Sequence, residues 1–549
     1  MVASYSNPGG RPAPGISKVS PLYLGLAFLA ALALSGCGGQ HESNAGGTSA
    51  SYSAGQVVAP STAPKVTYFA AARFLEQATW GATPERIAEV QALGFEAWIE
   101  RQFSLPVTQI KDVPRFVTHY NGAVQDEVGQ AYQWPATRSS ELFFSEPDQL
   151  RQRTSWALFN YIPLFVQPYG MTEHYNLLHR NAFGSHKTLL VELTKSPAMG
   201  FFLSNFQNTS RRLNENYARE LMQLFTVGLV QLNADGSIKR DADGRPLETY
   251  TQEDVRGATR ALTGWRLDNS VPNLPFPGNH ANFGFPMVQN EDSHDKEAKR
   301  VMGKTIPAGQ SVQKDLDSLI TILVDHPNAG PFLARRLIQS MVASEPSPQY
   351  ISRVVTAYRS AGNSLRAAVK AVLLDPEARA GDRIGQGTGL AGRMKDSLLT
   401  STTLLAGLGC DRPPDNYWMG YGQSFFDAPN VFGFISPDYR TPGSLVNVPE
   451  QTLLTSKLLS ARSTALFYPP REDYLAAGCE IDKLEAALAQ SDEVFLNELG
   501  LRFFRGAMPT RLRSEVRELM SRYPGARAEH RFNLAMSLLL SSVEFGVVE

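Results

Sequence analysis

A chain of 549 residues can bury a sizeable core, and 43% hydrophobic against 19% charged residues is an ordinary globular balance. With 52 basic and 53 acidic residues the net charge is −1, which removes any electrostatic case for nucleic acid as a partner. The three cysteines, Cys37, Cys410 and Cys479, form no CxxC, so a cysteine-rich zinc site is excluded by count.

Residues 1–36 have the form of a lipoprotein signal peptide. Arg11 and Lys18 give a positive start, and Leu22 to Leu34 is an apolar run short of the ~20 residues a membrane span needs. The run ends in Leu34-Ser35-Gly36-Cys37, which resembles the bacterial lipobox. That resemblance implies cleavage before Cys37 and acylation of its thiol, so that chains such as palmitate hold the protein to a membrane. Gly38 and Gly39 stand where an aspartate would mark inner-membrane retention, so the expected address is the outer membrane, on its periplasmic or surface face. The other reading is an ordinary secretory signal with an incidental cysteine. Residues 37–66 are Gly/Ser/Ala-rich, carry no apolar period and read as a flexible linker.

The folded part is expected over 67–549, with sub-units about 67–310 and 311–549. Thr83-Pro84-Glu85 is a helix start, with a hydroxyl cap and proline in the first turn, and Gly94 is its stop. Residues 105–140 are aromatic and irregular. Helical spacing returns over 148–165 and 173–183, with Gly184 as terminator and Ser185 as the next cap. Residues 268–310 are rich in Pro, Asn and Gly, and such long irregular stretches are more often functional than idle. Helical patterns then dominate at 312–324, 329–343, 348–361, 364–374, 394–408, 450–466, 492–504, 510–522 and 528–542. The fold class is mainly α, a large multi-helix body with a small β-meander near 230–250. Segments 188–199, 366–378 and 533–545 each run from an apolar helix into a Ser- or Asp-led turn, which reads as repeated capping chemistry.

The stretch from Asn214 to Trp265 organises the rest. Asn214 and Gly228 bracket a predicted helix of about Glu215 to Val227. Tyr217, Leu221, Leu224 and Phe225 form its apolar stripe, while Asn216, Arg219, Glu220 and Gln223 share another face, with Glu215 one turn before Arg219. Asp235-Gly236 and Asp243-Gly244 are hairpin-turn pairs. Thr251-Gln252-Glu253-Asp254 has capping-box form and opens a second helix that Gly264 ends. Spacing alone reads these polar faces as solvated; the functional reading turns them inward onto a metal or an anionic ligand.

The run Asn214 to Leu221, then Tyr250-Thr251-Gln252, Asp254-Val255 and Leu262-Thr263-Gly264-Trp265, resembles the hallmark of the bacterial domain-of-unknown-function 1800 family. Likeness continues upstream around residues 71 and 196 and downstream through His294-Asp295, His326-Pro327 and the segment after Gly422, covering roughly 70–545. It implies a large, mostly helical exported protein with no established reaction. It also implies a partner, because the family is often encoded beside an exported family, domain of unknown function 1501. Many members carry a Trp-His-Asn-His segment; here Trp156 is followed by Ala157, Leu158 and Phe159.

Two classes of function stand side by side. In the first, a divalent metal serves a hydrolase or oxidase, with Glu215, Asp254, His294 and Asp295 as ligands and Glu220, Arg219 and Arg260 as catalytic groups. No local metal-binding spacing supports it. His174, His179 and His186 form a second histidine group, read as packing or surface residues. In the second class the protein is a non-catalytic envelope scaffold that binds an exported partner or surface polymer, with Tyr120, Tyr132, Trp134, Trp418, Tyr421, Phe425 and Phe426 as candidate aromatic contacts. Gly387 to Gly392 matches GxGxxG without a preceding strand, so no dinucleotide cofactor is expected. Cys410 and Cys479 form one disulfide in an oxidising envelope, or are two buried thiols.

Overall fold

The computed structural model describes residues 65–110, 143–166, 168–268, 283, 285–384, 392–414, 423, 428–444, 446–465 and 470–548. The signal segment, Cys37, the linker to residue 64, the GxGxxG run before Gly392, His280 and the seven aromatic residues named above lie outside them.

Helices form over most segments where the sequence has an apolar period of 3.6, and most begin on a hydroxyl or carboxylate cap; the 394–408 pattern starts as extended chain at Met394 and turns helical at Ser397, and 450–466 divides into a 3-10 turn over Pro449–Leu453 and a helix over Ser456–Thr464. The N-terminal part comprises α1 (Tyr68–Ala78), α2 (Pro84–Leu93), α3 (Phe95–Ser104), α4 (Gln149–Tyr161), α5 (Pro168–Asn181), α6 (His186–Lys195) and α7 (Pro197–Phe202). Then come α8 (Asn216–Gln223), α9 (Gln252–Ala261), α10 (Val312–Asp325), α11 (Ala329–Met341), α12 (Pro348–Ser360), α13 (Leu365–Leu374) and α14 (Pro376–Arg379). The C-terminal part holds α15 (Ser397–Gly407), α16 (Ser456–Thr464), α17 (Arg471–Ala476), α18 (Ile481–Gln490), α19 (Asp492–Phe503), α20 (Thr510–Ser521), α21 (Ala528–Ser541) and α22 (Val543–Gly546). Thr83 accepts from Arg86 N ahead of Pro84, as read. The three look-alike segments are helix-to-helix turns capped by Ser196, Asp375 and Ser542, which accept from Met199 N, Glu377 N and Phe545 N.

Strands come only as antiparallel pairs among the described residues: β1 (Trp265–Arg266) with β2 (Val288–Gln289), β3 (Lys299–Val301) with β4 (Lys304–Ile306), and β5 (Arg393–Met394) with β6 (Val547–Val548). The predicted meander is a ladder of isolated bridges, Val230 to Glu248, Leu232 to Ile238 and Arg240 to Pro246. Its turns close on Gly236 and Gly244, both in the left-handed region at φ 78° and 80°.

Buried apolar residues form two clusters. One runs from Ala71 to Leu399 with Ala428; the other runs from Leu404 to Phe545. The first cluster takes residues from both sides of position 310, with α10 packed on α6 and α11 on α4, and the second cluster begins inside α15. Phe144 touches both clusters. Cys410 and Cys479 are joined by a disulfide within the second core.

Candidate functional site

The helix predicted over Glu215 to Val227 is shorter, ending at Gln223. Its tail widens: Phe225 N bonds to Glu220 O at 3.1 Å, and Val227 N and Gly228 N both reach Met222 O. Gly228 turns the chain at φ 75°. Glu215 occupies the cap position expected for Asn214, and Asn214 Oδ1 instead accepts from Asn216 N at 3.1 Å. Tyr217, Leu221 and Phe225 are fully buried, as the stripe required. On α9 the capping box is complete, with Thr251 and Asp254 each accepting from the other's backbone.

Glu215, Asp254 and Asp295 each have a protein partner, and the partners differ. Glu215 Oε2 accepts from Arg219 Nη2 at 3.0 Å and from Gln252 Nε2 at 2.9 Å, which ties the starts of α8 and α9 together on the surface. Asp254 Oδ2 takes Thr251 N and Oγ1 at 2.8 Å, while Oδ1 takes Met302 N at 2.6 Å. Burial raises the Asp254 pKa, but these three donors and Arg300 leave it below the usual range. Asp254 thereby grips the β3–β4 turn, whose two central residues, Met302 and Gly303, are both left-handed at φ 49° and 76°.

Arg260 forks onto Asp295, Nε to Oδ2 at 2.7 Å and Nη2 to Oδ1 at 3.0 Å. Burial pushes the Asp295 carboxyl up, and the Arg260 bonds bring it below its ordinary value. Behind this pair lies a buried polar network. Lys299 Nζ is 2.5 Å from Asp315 Oδ2, Gln310 Nε2 is 3.0 Å from Oδ1, and His294 Nε2 stands 3.1 Å from Oδ2 without hydrogen-bond alignment. His294 Nδ1 faces Thr263 O at 2.8 Å. Lys299, His294 and Asp315 are at most 4% exposed. Thus the motif Leu262-Thr263-Gly264-Trp265 positions His294. Gly264, at φ 91°, is required because a Cβ there would stand 2.8 Å from Asn290 O.

Arg219 and Arg260 therefore act as partners of Glu215 and Asp295, and Asn216 is exposed. The expected ligands Glu215, Asp254, His294 and Asp295 lie in separate contacts, and the described residues contain no group of three or more His, Cys, Asp or Glu placed to hold a metal ion. Glu220 is the exception. It is half-buried, its Oε2 has no partner, and burial raises its pKa against the pull of Arg219. Tyr250, whose hydroxyl is also unpartnered and pushed to about 12 by burial, senses the charges of both Arg219 and Glu220. His174, His179 and His186 are fully buried packing residues, with Ile162 O and the Tyr175 and Tyr358 hydroxyls as their neighbours.

Sequence reasoning missed three residues that build this region. A Cβ on Gly257 would sit 1.9 Å from Arg300 O, so only glycine lets β3 lie against α9; a glycine in mid-helix was the available signal. Asn328 donates to Val227 O and Val230 O and accepts from Leu232 N, stitching the meander to α11. Asp315 had no sequence signal beyond its place in the first turn of α10. The hairpin so held forms one wall of a groove of about 820 Å³, with Lys187, Lys304, Lys314, Asp317 and His326 among its lining.

A mainly helical body, whose most patterned stretch is a pair of capped helices clamping a hairpin, defines the class of protein structurally. The chain belongs to the family of proteins of unknown function DUF1800, which it matches over residues 73–547. Neither a curated protein nor a solved structure matches it.

Proposed function

We propose that this is a lipid-anchored cell-envelope protein whose helical body is a non-catalytic binding module. The observation that supports it is the use made of the signature's acids: Asp254, Asp295 and their neighbours hold the β3–β4 hairpin as a groove wall instead of meeting around a shared point. The groove carries Lys187, Lys304 and Lys314 beside Asp317 and Asp325, a mixed charged lining that suits the polar surface of an exported partner, such as a protein of the domain-of-unknown-function 1501 family, or a surface polymer. Attachment rests on acylated Cys37 and the linker after it. Elemental analysis of purified wild-type protein and of Glu220→Ala tests the reading. Metal-free protein that added metal does not reconstitute is the expected result. Stoichiometric metal, lost in Glu220→Ala, would return the metal-dependent hydrolase or oxidase. Mass spectrometry of the mature N-terminus tests the anchor, and a first residue other than modified Cys37 ends it.

Glu220 favours a second reading. An unpartnered, half-buried carboxyl with a raised pKa beside the Tyr250 hydroxyl is the environment of a general acid. Activity of any kind that is abolished by Glu220→Gln with folding intact would establish it.

A further inference from the structure

The β3–β4 hairpin has one edge covered and one edge free. Val301 and Lys304 flank its left-handed turn, Met302-Gly303, in register, so they are the hydrogen-bonded pair that closes it. The next pair, Arg300 with Thr305, is then non-hydrogen-bonded, and each residue turns its N–H and C=O away from the other strand. On the β3 side that direction is visible, since Arg300 O lies against Gly257 of α9, where a Cβ would stand 1.9 Å from it. By the same register Thr305 N–H and C=O face off the opposite edge. Thr305 is exposed and lines the groove, and neither of these backbone groups has a hydrogen-bond partner among the described residues.

The wall opposite that edge is a stripe of helix. Lys314, Asp317, Ser318, Thr321, Ile322 and Asp325 recur along α10 at intervals of three and four and line the groove. They span ~16 Å of helix, the length of about five extended residues at ~3.3 Å each. The volume of about 820 Å³ is that of a ligand cleft. Its lining disfavours two other occupants. No Phe, Tyr or Trp is part of it among the described residues, so a sugar ring finds no aromatic face to stack on. Lys187, Lys304, Lys314, Asp317 and Asp325 form no ion pair among the described residues, so both signs of charge are open and a polyanion would meet like charge. Met302, Ile322 and Pro327 add aliphatic surface.

We propose that the groove takes an extended segment of a protein partner, about five residues long and bearing side chains of both charges, as a third strand beside β4. The inference rests on the binding-module reading and deepens it, selecting the protein over the polymer. One residue of the partner exchanges both backbone hydrogen bonds with Thr305, and alternate side chains reach the α10 stripe. Lys304 on one side and Pro307, which has no N–H, on the other confine pairing to that rung. The same two residues keep the edge from recruiting further copies of this chain into a growing sheet.

The test pans a displayed library of random decapeptides on the purified full chain, then measures a selected peptide by calorimetry on wild type and two variants. Thr305→Ala keeps the backbone groups and should bind within about twofold of wild type. Thr305→Pro removes the outward N–H, and proline is tolerated at such an edge position, so the melting temperature should hold while affinity falls at least tenfold. Amide exchange at Thr305 should slow when the peptide binds. A library that yields no peptide, equal affinity for Thr305→Pro, or unchanged exchange at Thr305 would overturn the proposal. So would unfolding of the hairpin in Thr305→Pro, since that N–H would then face β3. Binding of alginate with no peptide selected would overturn strand addition and leave the binding module standing. Stoichiometric metal in the purified protein would overturn the module, and the proposal with it.

Discussion

Two polar regions of one core treat charge in opposite ways. On the α8–α9 pair the acids are matched: Glu215 with Arg219 and Gln252, Asp254 with three donors, Asp295 with Arg260. In the layer of α4, α5, α6 and α11, polar groups outnumber their partners. His174 Nδ1, His179 Nδ1 and His186 Nε2 are unpartnered, as are nitrogens of Arg153 on α4 and of Arg393 on the neighbouring β5. The two regions touch, since the Tyr161 hydroxyl on α4 donates to Phe225 O at the end of the α8 turn. The difference teaches where each region is sensitive. Matched surface groups respond weakly to single changes, whereas groups buried without full pairing tie the fold to protons and ligands.

Acid should open the unmatched layer first, and this is the largest effect expected. Burial depresses His174 to about 4 and His179 and His186 to about 3 from 6.5. Neutral in the folded state, they take up protons more readily once unfolded. Their contribution is complete above about pH 7, declines as pH falls through 6.5, and ends only below their folded values, amounting to on the order of 3 kcal/mol for each. Asp254 and Asp295, held below the ordinary range, stay ionised over most of that span. Urea midpoints measured from pH 7.5 to 5 should therefore drop steeply, and His179→Gln should flatten the slope by about one proton of uptake. A level profile would mean the imidazoles are not dry.

The next effect separates matched from merely close. Asp315→Leu strands Lys299 in the core and should lower stability by about 3–5 kcal/mol, while Lys299→Met combined with Asp315→Leu should recover most of it. Thermal unfolding of the two variants decides this; equal losses would show that packing and not charge dominates there. Gly257→Ala drives a methyl into Arg300 O and should remove about 3 kcal/mol, with loss of the β3–β4 hairpin from α9 visible as faster amide exchange at Val301.

How much of this was readable beforehand follows the range of the interactions. Local ones were plain: the Thr251 capping box, the glycine stops at Gly228 and Gly264, the Asp235-Gly236 turn and the apolar stripe of α8 all lie within a few residues of their cause. The family hallmark was readable as a pattern, but its purpose was not. Thr263 and Gly264 serve His294, 30 residues on, and Asp254 serves a turn 48 residues away at Met302. Acid and histidine at helical spacing look the same whether they converge on a metal or each hold a different loop. Only the fold of residues 283–315 distinguishes the two, and no period in the sequence encodes it. The same holds for Arg153 and Arg393, which are distant in sequence and come together because α4 and β5 share one core.

The smallest effect is the most direct probe of the surface pair. Glu215 and Arg219 are each more than a third exposed, and a salt bridge at that depth contributes about 0.3–0.5 kcal/mol at low salt. Glu215→Gln keeps a carbonyl oxygen for Gln252 Nε2 and removes only the charge, so the expected change in unfolding free energy is near the lower figure. It should vanish by 0.5 M salt, where the screening length falls below 5 Å. A double-mutant cycle with Arg219→Met isolates the pair from Gln252. A coupling above about 1 kcal/mol would mean that Glu215 is held by more than the contacts seen here, and would move it from the matched surface to the unmatched interior. In that event Glu220, five residues on within α8 and with a buried, unpartnered oxygen, would be the first residue to test for a shared ligand.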